Sequence, residues 1–304
     1  MSIFKHLVLG LFLPAIVGGG IFIFANIFAS KRESEQTEER NGLFSGWLFS
    51  AALSVGYIVG YIGLEGLPPF PAREGVHWLC YLALIGLILG IFWRFEISKY
   101  FTGQMLASAV MAFIPPLLLA PMFKHTWGQV EGVIWWFCVI VVIAIFWGMV
   151  QGSFTLLPSG GWSPFVYFGL SGGTALVLAV SGSLRLAQHA GILVALFAAI
   201  WIITLFLRSD AKVRVFPIST SPVITLAFVG IWMNGYFYEE VPAASAILLA
   251  MALCLAPVGR IEKIQQLGAW RSTFVQIAAI ALPVVIAIGI AVARSGLFGE
   301  SSPY

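Results

Sequence analysis

Ionisable and polar side chains are scarce in this 304-residue chain, so the few that cluster stand out. The densest group is NGYFYEEVP at 234–242, where the adjacent acids Glu239 and Glu240 are flanked by Asn234, Tyr236 and Tyr238. Paired carboxylates beside phenols and an amide can attract cations or gate a pathway. The same acids also suit the first turn of a helix, where the macrodipole favours negative charge and Pro242 is tolerated. Catalytic patterns are otherwise missing. His6, His77, His125 and His189 are scattered with no two at metal-ligand spacing, and neither HExxH nor a paired Asp-rich motif occurs. Cys80, Cys138 and Cys254 sit in apolar runs without CxxC spacing, as small hydrophobes do. These patterns nominate no metal, no cofactor and no reaction, and the expectation is a protein that is not an enzyme.

Backbone chemistry offers a second set of candidates. Gly18-Gly19-Gly20 and Ser171-Gly172-Gly173 weaken two apolar runs, and Gly19 and Gly172 mark points where a transporter helix can unwind to expose backbone groups. Pro115-Pro116 predicts a kink that frees carbonyls in a third run. Gly56 and Gly60, Gly86 and Gly90, and Gly169 and Gly173 form GxxxG pairs that allow close helix approach, within the chain or toward homo-oligomer or membrane-complex partners. Few polar groups lie near these runs. Arg94 and Glu96 bracket a span end, Arg185, Gln188 and His189 are read as one short turn, and Asn26, Asn234 and Gln276 are uncharged. So few intramembrane charges argue against a proton pump, a voltage sensor or a carboxylate-driven ion coupler.

The elements that would position these residues follow from composition. The chain is 60% hydrophobic and 10% charged, with a mean hydropathy of +0.97. A soluble domain is about 45–50% apolar and about 25% charged, so the solvent here is lipid and the partners are membrane lipids, not nucleic acid. The fold class is all-α: a polytopic transmembrane helical bundle in one integral membrane domain, 1–304, of about ten spans. The spans lie near 4–29, 43–63, 76–93, 104–123, 131–150, 164–183, 189–208, 222–238, 240–257 and 272–293. The first run is longer than the apolar core of a signal peptide, with no clean cleavage site after it, and reads as a retained span. Charged stretches at 31–42, 64–75 and 208–222 form loops in water. Trp47, Trp78, Trp93, Trp135, Trp147, Trp162 and Trp270 fall near span ends, as interfacial indoles do, whereas Trp201 falls mid-span. GRIEKIQQLGAW at 259–270 has the spacing of a short helix lying on the interface, or of a solvated loop.

Charge sets the expected orientation. Lys31, Arg32, Arg40, Arg94, Lys99, Arg208, Lys212, Arg214, Arg260, Lys263 and Arg271 fall on one side, and Lys5, Arg73, Lys124, Arg185 and Arg294 on the other. The split of 11 to 5 puts both termini outside the cytoplasm, in a membrane of the bacterial inner type. Merging spans eight and nine reduces it to 9 to 7, so the charges favour two crossings there. An offset of 136 residues aligns 99–121 with 235–257, matching Tyr100 to Tyr236, Phe101 to Phe237 and Leu119-Ala120-Pro121 to Leu255-Ala256-Pro257. That period of five spans describes a five-plus-five inverted repeat of the kind secondary transporters use, although Ala- and Leu-rich spans also align through composition alone.

Two functions compete on this pattern. A small-solute or lipid carrier encloses a polar, water-reachable space near the midplane, lined by spans one, four, six and nine. A scaffold or accessory subunit of a larger membrane complex needs only packing faces. In size and span count the chain resembles the drug/metabolite transporter superfamily, with no motif in common. That resemblance implies cytoplasmic termini, and the charges here read the other way.

Overall fold

Lipid offers no hydrogen bonds to the backbone, so a chain this apolar can cross only as helices that satisfy their own peptide groups. A computed structural model describes residues 8–33, 38–92, 101–158, 161–207 and 216–295, and these contain helices and no strand. The readings at Lys5, His6, Arg94, Glu96, Lys99, Tyr100 and the 208–215 stretch lie outside the described residues. After a π turn at Val8–Phe12, α1 runs Leu13–Glu33, α2 Glu38–Glu65, α3 His77–Phe92 and α4 Phe101–Leu118. A short α5, Ala120–His125, leads to α6, Gln129–Leu156, then α7, Trp162–Val180, and α8, Leu184–Phe206. A 3-10 turn at Ile218–Thr220 enters α9, Ser221–Tyr238. The chain ends with α10, Ala243–Met251, its 3-10 continuation Ala252–Arg260, the single turn α11, Glu262–Gln265, and α12, Ala269–Arg294.

Eight of these segments are long and apolar enough to cross a membrane, and two of the ten expected spans are shorter apolar helices, His77–Phe92 and Ala107–Leu118. The protein is a multi-pass helical membrane protein. Spans eight and nine are separate helices: α9 and α10 are joined by the turn Glu239–Pro242. The interfacial stretch at 259–270 is not one helix: it joins the end of the 3-10 segment to the start of α12 through the single turn of α11, with Ile261, Leu267 and Trp270 exposed.

Hydropathy decides which helix goes where. The 18-residue apolar window of Ile218–Tyr238 has the lowest mean hydropathy of the eight, 1.2, and 94% of that window is buried inside the protein. The window of Gln129–Leu156 has the highest, 2.7, and only 28% of it is buried. Lipid-facing helices must be apolar all round, whereas a central helix can carry Ser221, Thr225 and Asn234, because other helices cover them. α9 is therefore the hub, packed by α3, α6 and α8, with α2 closing against α3 and α1 against α2 and α8.

Glycines set these spacings. A Cβ on Gly56 would meet Leu196 and the Cα of Gly18, and one on Gly60 would meet Ile192 and Pro14. Gly86 lies against the backbone of Val223, Gly90 against Ser50 and the Ser219 carbonyl, and Gly173 against Val284. Five of the six GxxxG glycines thus pack within the chain, and only Gly169 has nothing near it. The expected unwinding does not occur: α1 is continuous through Gly18–Gly20 and α7 through Gly172 and Gly173. Without water to compete for peptide groups, the glycines keep their helical bonds and contribute close approach, Gly18 to α2 and Gly19 to Ile203.

The two segments aligned by the 136-residue offset both leave regular α geometry within a turn of their shared Leu-Ala-Pro. α4 stops at Leu118, and α10 turns 3-10 at Ala252. At Pro115-Pro116 the expected freeing of carbonyls is visible. Pro116 has no N–H for the carbonyl of Ala112, and Trp136 Nε1 donates to that oxygen at 2.9 Å instead. Trp147 is not interfacial as its spacing suggested. α6 extends to Leu156, which leaves Trp147 buried and donating Nε1 to Ser221 Oγ at 3.1 Å. Trp201 packs in the bundle against Phe165, with ring centroids 4.8 Å apart.

Gly86→Leu should lower thermal stability in mild detergent by about 1–3 kcal/mol, since it forces α3 off the backbone of α9. Gly169→Leu, with open space at its Cα, should leave the melting temperature within the error of the same thermal-shift assay.

Candidate functional site

Along α2, Ser50, Ser54, Tyr57, Tyr61 and Glu65 recur at steps of four and three, so they share one face of the helix. From Ser50 to Glu65 that face covers about 22 Å at helical rise, most of a hydrocarbon core of about 30 Å. All but Glu65 are buried. A polar stripe of this length, facing inward at lipid depth, is the most chemically loaded feature among the described residues.

At the Glu65 end the stripe meets the start of α8. Arg185 grips Glu65 with two parallel bonds, Nε to Oε1 at 2.8 Å and Nη2 to Oε2 at 2.9 Å, and reaches Glu74 Oε2 through Nη1 at 2.7 Å. His189, one turn further along α8 and 0% exposed, places Nε2 3.4 Å from Glu65 Oε1. A carboxylate has no proton to give, so this contact puts the imidazole proton on Nε2. Nδ1 of His189 is buried with no hydrogen-bond partner among the described residues, and so are the hydroxyls of Tyr57, Tyr61 and Ser54. The imidazole stacks on Tyr61 at 5.2 Å between ring centroids and lies 6.5 Å from the ring of Tyr57. Beside Tyr57 is a small cavity of about 10 Å³ between α2, α3, α8 and α9, bordered by Ala83, Leu193, Phe197, Ala227 and Phe228. It is apolar apart from the tyrosine and has room for about one water molecule.

The opposite end of the stripe is also polar. Ser50 Oγ donates to the Ser219 carbonyl at 2.7 Å, and Gln151 Nε2 approaches Ser221 Oγ at 3.5 Å. Thr225 Oγ1 of α9 and Ser219 Oγ of the 3-10 turn before it have no partner among the described residues.

No family model, curated protein or solved structure matches the chain. The site must therefore be read from its own geometry.

The residues singled out in 234–242 do not converge on one site. Asn234 is buried and donates Nδ2 to the Gly230 and Gly75 carbonyls, at 2.8 and 3.3 Å. Tyr236 packs on Trp135 and Phe237, at 6.2 and 4.8 Å between ring centroids. Tyr238 donates its hydroxyl to the Leu118 carbonyl at 2.8 Å, capping the break below Pro115-Pro116. Glu239 ends α9, and Glu240 is exposed with a positive φ of 55°, at the hairpin turn. Through Gly75, Asn234 does touch the site: it holds the strap 66–76 that carries Glu74 against Arg185. Gln276 is also accounted for, donating Nε2 to the carbonyls of Leu156 and Ala256.

Arg185, Gln188 and His189 are not a turn, as the spacing suggested. The turn is Ser181–Ser183, and α8 begins at Leu184 and carries all three. At this end α2 runs on to Glu65, past the expected 63, and α8 begins at Leu184, before the expected 189, and these extensions bring Glu65 and Arg185 together. The legible signal was the spacing of Ser50, Ser54, Tyr57, Tyr61 and Glu65 itself, hidden because a search for charges passes over serine and tyrosine. Nor does the small cavity lie where a carrier lined by spans one, four, six and nine would have it. It lies between spans two, three, seven and eight.

A buried hydroxyl without a partner costs about 1–3 kcal/mol of desolvation. Tyr57→Phe and Tyr61→Phe should therefore leave the melting temperature unchanged or raise it. Arg185→Lys should lower it by about 1 kcal/mol equivalent, because an ammonium cannot reproduce the paired bonds to Glu65 while Glu74 stays engaged, and the pair is partly screened by solvent. Both are readable by thermal shift on purified protein.

Proposed function

We propose that the chain is a carrier for a small polar solute, with the polar face of α2 as its pathway and the Glu65–Arg185–Glu74 cluster as the closed gate at one end. The observation that carries this reading is the run of buried, unpartnered polar atoms on Ser54, Tyr57, Tyr61 and His189. A protein that only packs against neighbours gains nothing from them, since each weakens the fold unless something binds there. The GxxxG glycines, which would be the faces of a packing subunit, are mostly used inside the chain. The matching breaks after Leu118 and at Ala252 favour a five-plus-five inverted repeat, in which α3 and α9, spans three and eight, meet as an equivalent pair. The charge asymmetry puts the Glu65 gate on the outer face of a bacterial-type inner membrane, with both termini outside.

Alternating access requires that the stripe meets water at some point in the cycle. With Cys80, Cys138 and Cys254 replaced by alanine, Ser54→Cys in intact membranes should react with a small water-soluble thiol reagent over minutes. Reaction only after denaturation would remove the carrier reading and favour a packing subunit.

A further inference from the structure

Where α6 ends and α12 begins, the surface opens into a cleft of about 340 Å³. Its polar wall is made by Arg260 of the 3-10 segment, Gln265 of α11, and Ser272, Thr273 and Gln276 of α12. The volume falls in the range of about 300–1,000 Å³ in which proteins hold small molecules. None of its lining belongs to the polar stripe on α2.

Hydrogen bonds hold this cleft in shape. Gln276, 2% exposed, donates Nε2 to the Leu156 carbonyl at 2.9 Å and also to that of Ala256, which ties α12 to the end of α6 and to the 3-10 segment. Gly259 makes room for that amide, since a Cβ there would strike it. Arg260 donates Nη2 to the Thr155 carbonyl at 3.0 Å. That bond steadies an exposed guanidinium on the cleft wall and leaves the rest of its N–H donors without a protein partner among the described residues. No carboxylate lies within ion-pair distance of it among the described residues.

A cation steadied in this way, with donors left over and no acid in reach, is complementary to an anion. Ser272 adds a hydroxyl and Gln265 an amide, and the first turn of α12, which no side chain caps, borders the cleft at Ala269 with further N–H groups. Over 259–271 the cations Arg260, Lys263 and Arg271 stand against one acid, Glu262, which is not on the cleft wall. Depth follows from the elements that meet there. α6 ends at Leu156, α7 starts at Trp162 and α12 starts at Ala269, so the cleft lies among helix ends. Trp162 and Trp270, 5.9 Å apart between ring centroids, are placed as indoles at headgroup level are. From Trp270 the exposed side chains of Phe274, Leu282 and Val285 continue along one broad face of α12. Polar and cationic groups thus adjoin an apolar face that leads into the hydrocarbon.

We propose that the cleft is a binding site for the headgroup phosphate of an anionic phospholipid, with Arg260 as its main contact and the acyl chains laid along Trp270 and Phe274. A zwitterionic headgroup brings its own cation into the field of Arg260, Lys263 and Arg271, so the net anionic lipid is the better match. The apolar face that begins at the cleft edge favours a lipid over a free anion. The charge split that orients the chain puts this face on the cytoplasmic side, where a leaflet carries a negative surface potential.

The test is lipid competition on the purified full-length chain. Native mass spectrometry reads the first lipid retained from a mild detergent that holds equal amounts of phosphatidylglycerol and phosphatidylcholine. Phosphatidylglycerol should be preferred several-fold. Arg260→Gln should bring the preference toward parity, whereas Lys124→Gln, which removes an exposed positive charge away from the cleft, should leave it unchanged. Inorganic phosphate in large excess should not displace the lipid. Displacement by phosphate would assign the cleft to a free anion and overturn the lipid. Equal retention of the two lipids by the unmodified chain overturns the site, and so does a preference that survives Arg260→Gln or is lost equally in Lys124→Gln. Should Arg260→Gln not fold, Ser272→Phe, which fills the cleft from its wall and keeps the guanidinium, takes its place, and a preference that survives it overturns the site. None of these outcomes touches the stripe on α2, so the carrier reading is decided by its own labelling test.

Discussion

At lipid depth a polar group has nowhere to turn but inward, and the arrangement of this bundle follows from that constraint. The helix with the most serine, threonine and asparagine, α9, is the one most fully enclosed, and α6, the most apolar, is the one most open to lipid. α2 resolves the same demand within one helix, turning its serine and tyrosine face toward α3, α8 and α9. Glycine makes the enclosure tight enough to exclude lipid. Gly86 and Gly90 let α3 touch the backbone of α9 and the serines of the stripe, and Gly56 and Gly60 seat α2 on α1 and α8. The glycines and the buried hydroxyls are therefore parts of one device.

The ends of the polar stripe on α2 are held differently. At one end the hydroxyls of Ser50 and Ser221 are tied into neutral hydrogen bonds. At the other, a guanidinium joins two acids that arrive from different parts of the chain, Glu65 at the end of α2 and Glu74 on the strap. A neutral bond between packed helices breaks only if the helices separate, whereas an ion pair can be broken by a change in charge. The asymmetry makes the Glu65 end the one whose bonds depend on charge. Asn234 has a quieter part there, since its bonds to Gly75 and Gly230 pin the strap to the central helix.

Proline and tryptophan show how a helix defect is repaired where no water reaches it. The carbonyl released by Pro116 is taken by the indole of Trp136, and the one at Leu118 by the phenol of Tyr238. Gln276 does the same for Leu156 and Ala256 around the 3-10 segment. Each break in backbone regularity thus fixes a long side chain from another helix, so the irregular segments cross-link the bundle.

The class of protein, the rough number of its apolar helices and the separation of α9 from α10 were legible in the sequence, because hydropathy and charge are summed along the chain and need no partner to be read. So was the freed carbonyl at Pro115-Pro116, which depends on a missing N–H. The fate of the glycines was not legible. The same Gly18-Gly19-Gly20 that could unwind a helix here holds it against another, and only the neighbour decides which. The site was half legible. The spacing of Ser50, Ser54, Tyr57, Tyr61 and Glu65 is written in the sequence, but serine and tyrosine are ordinary in apolar helices until they prove to be buried without partners. What only the tertiary structure decided is the meeting of Glu65 with Arg185 and His189, 120 and 124 positions further along the chain, which depends on where α2 ends beside the start of α8. Patterns along one helix follow from its own geometry. A contact between helices depends on how far each extends and how each is turned, and packing sets both.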